Sequence, residues 1–185
     1  MHNLALVPQP KNLKLCEGAF RLNRDTLIQL LPSCAAALST VAMQLKEEIL
    51  VVTGFDIPII ASAKPPRTEN LIVVGTTQDP TWSSYTADIS GLDAQTYILD
   101  VSDSSILAVG GDLDGAAYAL QTLRQIIRVS GLVLPALSIK DWPSLPNRGL
   151  MLDVSRGKVP TLDTLKSLVD TLCQYKINVL QLYTE

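Results

Sequence analysis

Between Trp142 and Pro146 the chain reads Trp142-Pro143-Ser144-Leu145-Pro146, and the hydrophobic pattern obeys different rules on either side of it. Two prolines this close remove main-chain donors and fix φ, so neither a helix nor a central strand can run through. Beyond this point the chain reads Leu150-Met151-Leu152-Asp153-Val154, then a helix capped by Thr161 and running to Tyr175, then a second apolar run over 178–183. Near-continuous apolar character in both runs is what parallel strands buried on both faces need, and parallel strands require a crossover such as this helix. Leu162, Leu165, Leu168, Val169 and Leu172 give that helix one apolar side. Such a strand-helix-strand unit cannot bury itself alone. The expected division is therefore a first domain over 1–146 and a second over 147–185.

Before the boundary, short strand patterns surround two helix patterns. Leu13-Lys14-Leu15 and Phe20-Arg21-Leu22 flank Glu17-Gly18 and read as a hairpin. Ser33 offers a cap for a helix carrying Leu38, Val41, Leu45, Ile49 and Val52 at spacings of three and four, ended by Gly54. Residues 57–60 and 71–74 are β-branched runs bounded by Pro and Gly. Residues 97–101 and 106–109 flank a Ser102-Asp103-Ser104 turn and predict an antiparallel pair. Asp112 is placed to cap a second helix with Leu113, Ala117, Leu120, Leu123 and Ile127 on one face, and strands at 132–134 and 137–139 close the region. The fold class that follows is α+β, a mostly antiparallel sheet with two helices on one face.

Composition narrows the function. Apolar residues make up 47% against 18% charged, ample for a core. The 15 basic residues are scattered among 18 acidic ones, so nucleic acid is not an expected partner. No uncharged apolar stretch approaches the roughly 20 residues that a membrane-spanning helix needs, so a membrane partner is not expected. The start, Met1-His2-Asn3-Leu4-Ala5-Leu6-Val7-Pro8, has no basic n-region and a short apolar run. Cytoplasm is the default compartment on that reading, with export if a signal was trimmed away. Cys16, Cys34 and Cys173 fit no metal or disulfide spacing and are expected as free, buried thiols.

Three local features carry little chemistry. Gly110-Gly111-Asp112-Leu113-Asp114-Gly115 joins a strand to a helix, as phosphate loops do, but lacks the Lys-Ser/Thr of a P-loop and carries two aspartates that repel phosphate; a tight turn with a cap is the expectation. Trp82, Tyr85 and Trp142 could stack on sugars, although Trp142 is better placed for packing at the junction. His2 is the one histidine, which leaves no base for a Ser-His-Asp triad and no set of zinc ligands.

Three segments in order resemble a known family. Leu134-Pro135-Ala136-Leu137-Ser138-Ile139-Lys140-Asp141-Trp142-Pro143 and Arg148-Gly149-Leu150-Met151-Leu152-Asp153-Val154-Ser155-Arg156 look like the domain junction of family 20 glycoside hydrolases, the β-N-acetylhexosaminidases. Upstream, Gly115-Ala116-Ala117-Tyr118-Ala119-Leu120-Gln121-Thr122-Leu123-Arg124-Gln125 is similar to the last helix of that family's N-terminal domain. The resemblance implies an accessory domain followed by the start of a (β/α)₈ barrel that removes terminal β-linked N-acetylhexosamine from glycans or amino-sugar oligosaccharides. In that family the substrate's own 2-acetamido oxygen is the nucleophile, an exception to the two-carboxylate scheme. The Asp-Glu pair that assists it would lie beyond Glu185, so no catalytic residue is expected within these 185 residues. Neither a metal nor an organic cofactor is implied.

Arg148 matches the arginine that contacts the ring hydroxyls of the terminal sugar, a role suited to a rigid fan of donors that stays charged. It begins its strand, however, whereas barrel sites lie at the carboxyl ends of strands. Asp153, at such an end, is expected to support the pocket or to pair with Arg156, and Glu185 is placed alike on the second strand. The sequence departs from the family pattern where Asn178-Val179-Leu180-Gln181-Leu182-Tyr183-Thr184-Glu185 lacks the usual two histidines and acidic pair, and where Gly157-Lys158-Val159-Pro160 replaces a His and aromatic pair. Two other readings stay open: a glycan- or partner-binding module, and the accessory domain of another barrel glycosidase such as an α-glucuronidase. Self-association through open apolar strand faces is a further expectation.

Overall fold

In the computed structural model, residues 4–84 and 91–185 are described, and the chain divides into two compact units, Met1–Pro143 and Ser144–Glu185. The first contains β1 (Asn12–Arg21), β2 (Leu27–Leu30), α1 (Ala35–Thr53), β3 (Ile59–Ala61), β4 (Leu71–Thr76), a short 3-10 turn (Pro80–Ser84), β5 (Tyr97–Val101), β6 (Ser105–Gly110), α2 (Leu113–Ser130) and β7 (Val133–Asp141). Its seven strands form one sheet in the order β1-β7-β5-β6-β4-β2-β3.

The sheet is mixed rather than mostly antiparallel. β1 with β7, β7 with β5 and β5 with β6 are antiparallel, whereas β6 with β4, β4 with β2 and β2 with β3 are parallel. The difference traces to Leu27-Ile28-Gln29-Leu30, a strand that the sequence pattern did not announce because all four residues are buried and no alternation marks it. Once β2 exists, α1 becomes the crossover between β2 and β3 and forces a parallel pair.

The expected hairpin at Glu17-Gly18 is also corrected. β1 is one strand of ten residues, and its register against β7 shifts between Leu15 and Ala19. Gly18, with φ +105°, supplies the conformation that this bulge needs, and the Ala19 amide it releases donates to Asp103 Oδ1 at 2.7 Å.

α1 and α2 pack side by side over the sheet. Between them Glu48, 7% exposed, receives Arg128 Nε on Oε1 at 2.6 Å, while Arg124 Nη2 lies 3.4 Å from its Oε2. Beneath the helices, Phe20, Leu45, Ile49, Leu99, Ile106 and Leu120 lose all contact with solvent, and each contributes roughly 1.5 to 3 kcal/mol by burial. α2 is capped as expected: Asp112 Oδ1 accepts from Gly115 N at 2.8 Å. α1 is not capped by Ser33. Its N-cap is Cys34, whose side chain makes no cap bond, and Ser33 instead donates through Oγ to Asp79 Oδ2 at 2.6 Å.

Asp79 is thereby drawn to the start of α1, where a carboxylate is electrostatically favoured. Burial pushes its carboxyl up, but the hydroxyls and amides of Ser33 and Thr81 outweigh that and hold it at about 2. A second buried network joins Tyr97 Oη to Thr122 Oγ1 at 2.7 Å and to Asp141 Oδ2 at 3.0 Å.

The second unit consists of β8 (Gly149–Asp153), α3 (Leu162–Gln174) and β9 (Val179–Tyr183). β8 and β9 pair in parallel, Gly149 opposite Val179 and Asp153 opposite Tyr183. Thr161 caps α3 through Thr164 N at 3.2 Å, yet no residue of α3 is buried. Among the described residues no helix is long and apolar enough to cross a membrane.

Candidate functional site

The carboxyl ends of β8 and β9 gather the side chains of Asp153, Ser155, Arg156, Tyr183 and Glu185. Asp153 closes β8, and its Oδ1 accepts from Ser155 N at 2.9 Å, Ser155 Oγ at 2.8 Å and Arg156 N at 3.2 Å. The Ser155 amide, then its hydroxyl, lowers the carboxyl below the ordinary aspartate range and keeps it ionised. That anchor turns the chain back after the strand, and the Val154 amide secures the turn by donating to Tyr183 O at 3.0 Å.

Arg156 emerges from this turn. Its Nε stands 3.4 Å from Asp153 Oδ2 and 3.1 Å from Glu185 Oε2, and its guanidinium carbon lies 5.9 Å from the centre of the Tyr183 ring. Two carboxylates and a ring face thus fix one edge of the guanidinium. The side chain remains 60% exposed, and neither Nη donates a hydrogen bond among the described residues. Such a cation, aimed by its Nε edge and open at its Nη edge, can donate two parallel bonds to vicinal hydroxyls or a carboxylate.

Arg148 lies at the other end of the same strand pair. Its Nε donates to Lys176 O at 2.8 Å and its Nη1 to Leu145 O at 2.7 Å and Pro146 O at 3.2 Å. Its backbone carbonyl receives Asn178 N and Val179 N, and its amide donates to Asn178 Oδ1 at 2.8 Å. Through Nε and Nη1 the guanidinium that the resemblance marked for sugar contact bonds main-chain carbonyls, where it ties the entry of β8 to the entry of β9. Of the three expected site residues, Asp153 and Glu185 come together around Arg156, and Arg148 does not join them. The sequence offers Arg156 only as a salt-bridge partner of Asp153; its position just past the carboxyl end of an apolar strand is the signal that marks it.

Trp82 is 4% exposed and donates through Nε1 to Thr76 O, so it presents no stacking face. Trp142 carries the Lys11 ammonium 4.9 Å from its ring centre. Tyr85 and His2 lie outside the described residues. No disulfide joins the three cysteines, and only Cys34 is buried as expected: Cys173 is half-buried, and Cys16 is exposed because it sits in the bulge of the edge strand β1. Burial, reinforced by the neighbouring Asp79 charge, pushes the Cys34 thiol up to about 11.

Comparison with known proteins places the chain in a family. The sequence profile of glycosyl hydrolase family 20, domain 2, matches residues 3–142. A β-hexosaminidase of Vibrio furnissii is 33% identical over 177 residues, which span 95% of this chain and 25% of that protein. The β-N-acetylhexosaminidase structure from Streptomyces coelicolor superposes with a TM-score of 0.76 at 24% identity, over 95% of this chain and 34% of that one. The exo-β-N-acetylglucosaminidase structure from Vibrio harveyi in complex with N-acetylglucosamine does so with a TM-score of 0.75 at 23% identity, over 97% and 25%. The chain thus spans about a quarter to a third of the length of these relatives. The profile match together with the Vibrio furnissii relative shows that this chain belongs to glycoside hydrolase family 20.

Proposed function

We propose that this chain is the N-terminal part of a retaining β-N-acetylhexosaminidase that releases terminal β-linked N-acetylhexosamine from glycans or amino-sugar oligosaccharides. In this reading residues 1–146 form the accessory domain and 147–185 the opening strand, helix and strand of a (β/α)₈ barrel. The observation that carries it is the Asp153, Arg156 and Glu185 constellation at the carboxyl ends of two parallel strands, where barrel enzymes assemble their sites.

Arg156 is the residue that would meet the ring hydroxyls of the terminal sugar. Asp153 and Glu185 hold its Nε edge, so its Nη edge is oriented before the substrate arrives. Arg148 supports this indirectly by fixing the strand entries. In this reading none of these groups is the one that gives a proton to the leaving oxygen. In the proposed mechanism the substrate acetamide oxygen attacks the anomeric carbon, and a carboxylic acid from later barrel strands protonates the departing oxygen.

The test is hydrolysis of a chromogenic N-acetyl-β-glucosaminide by this 185-residue chain and by a chain extended through a full barrel. Activity only in the extended protein, with kcat/KM reduced about 100-fold or more by Arg156→Ala and far less by Arg148→Lys, is expected. Activity in neither, or an Arg156→Ala protein as fast as the parent, would overturn the reading.

A further inference from the structure

The first unit carries a cleft that the family 20 reading leaves unused. Because β2, β4 and β6 run parallel, their carboxyl ends share one edge of the sheet, and the chain leaves β2 into α1 and β6 into α2 at that same edge. Both helices, 19 and 18 residues long, therefore begin there. Crevices outside the carboxyl ends of parallel strands, where successive connections part to either side, are the usual ligand positions of open sheets.

A cleft of about 400 Å³ opens at this edge, lined by Ser33, Thr76, Gln78, Asp112, Leu113 and Asp114. The volume lies in the range of small-molecule sites. Gly110, the last residue of β6, lets α2 begin directly against the strand: a Cβ there would stand 2.1 Å from Ala116 N and 2.4 Å from Asp112 O.

The polar groups of the cleft divide into spent and unspent. Asp112 Oδ1 is spent on Gly115 N and Gln95 N, and the Ser33 hydroxyl proton is spent on Asp79. Thr76 is different. It is only 5% exposed, it lines the cleft, and its hydroxyl makes no hydrogen bond among the described residues. The hydroxyl keeps contact with solvent in the cleft, so a ligand can bond it without displacing a protein partner. Around it stand the Gln78 amide and the Asp114 carboxylate, likewise without hydrogen-bond partners among the described residues, and the apolar side chain of Leu113.

We infer that this cleft is an ancillary binding site for a neutral polyol the size of one sugar ring. The donor and acceptor set decides the class. Asp114 accepts from two hydroxyls, Gln78 both donates and accepts, the Thr76 hydroxyl does either, and Leu113 offers apolar area to ring C–H groups. An anion is disfavoured, since the carboxylates of Asp79, Asp112 and Asp114 already occupy the positive ends of the two helices. The inference is independent of the Arg156 constellation, which belongs to the second unit.

The experiment is amide-resolved NMR titration of this chain with N-acetylglucosamine and with glucose, with calcium chloride and inorganic phosphate as separate arms. Saturable shifts of the Ser33, Thr76, Gln78 and Leu113 to Gly115 amides with a sugar are expected, with an apparent Kd raised about tenfold by Asp114→Asn and by Thr76→Val. Asp114 is exposed, so that variant keeps the fold, and Arg156→Ala is expected to leave the titration unchanged. Shifts at these amides with calcium or phosphate but not sugar would overturn the inference, as would no shifts at all or shifts that both variants leave intact. Failure of the hydrolase reading is scored separately, by the hydrolysis assay.

Discussion

The two units are built from the same kinds of element and end in different states of burial. In the seven-stranded unit, β2 and β4 are buried along their whole length and α2 hides eleven of its residues. In the strand-helix-strand unit, α3 hides none, and Met151, Leu162 and Leu182 remain 63%, 67% and 46% exposed. Pattern and caps are equally good in both, with Asp112 opening α2 and Thr161 opening α3. What separates them is the number of strands available to cover an apolar face. A parallel pair with one helix has two faces and two edges to protect and too little chain to do so.

Paired substitutions can break this contrast. Leu99→Ala, at a fully buried position, is expected to cost about 3 to 4 kcal/mol, while Met151→Ala costs under about 0.5. Chemical denaturation of the 185-residue chain reads both, and equal losses would mean that the second unit has a core of its own. Next, Glu48→Gln removes the carboxylate between Arg124 and Arg128 and should cost about 2 to 3 kcal/mol, discounted because Arg128 is 41% exposed. No ion pair of the second unit should matter as much: Asp153→Asn, at the surface, is expected to leave the melting temperature within about a degree.

Acid titration sharpens the comparison further. The folded Asp79 carboxyl titrates near 2, below its ordinary 3.8, so its contribution of about 2 kcal/mol is complete above roughly pH 4 and is lost as pH falls through 2. Asp79→Asn should flatten the stability profile across that window and weaken the start of α1. The smallest pair compares the caps. Asp112→Ala should cost about 1 kcal/mol of global stability, whereas Thr161→Ala should lower helicity around α3 with little change in the main unfolding transition. Hydrogen exchange at the first turn of each helix distinguishes the two.

The helices were legible because their signals are local. Periodicity, Gly54 and the two caps lie within a few residues of what they control; β4 is marked by a β-branched run between turn residues, and β5 and β6 by the short Ser102-Asp103-Ser104 turn they flank. The site was half legible. Asp153 and Glu185 could be placed by the rule that barrel chemistry gathers at strand ends, but the choice between Arg148 and Arg156 could not be made that way. Both are arginines beside the same apolar strand, and only the positions of Lys176 O, Leu145 O and Glu185 show which is spent on the main chain and which is held open.

The sequence by itself therefore determined where the chain turns, which faces are apolar, and that the rules change at Trp142-Pro143-Ser144-Leu145-Pro146, since all of these follow from bonding and sterics among near neighbours. Tertiary structure alone decided the rest. It made β1 one bulged strand closed by Asp103, gave β2 parallel neighbours on both sides, and took Ser33 from α1 to bind Asp79, 46 residues away. The physical reason is common to all three. A main-chain or side-chain group bonds to whatever the fold brings within about 3 Å, and that distance is set by packing rather than by separation along the chain.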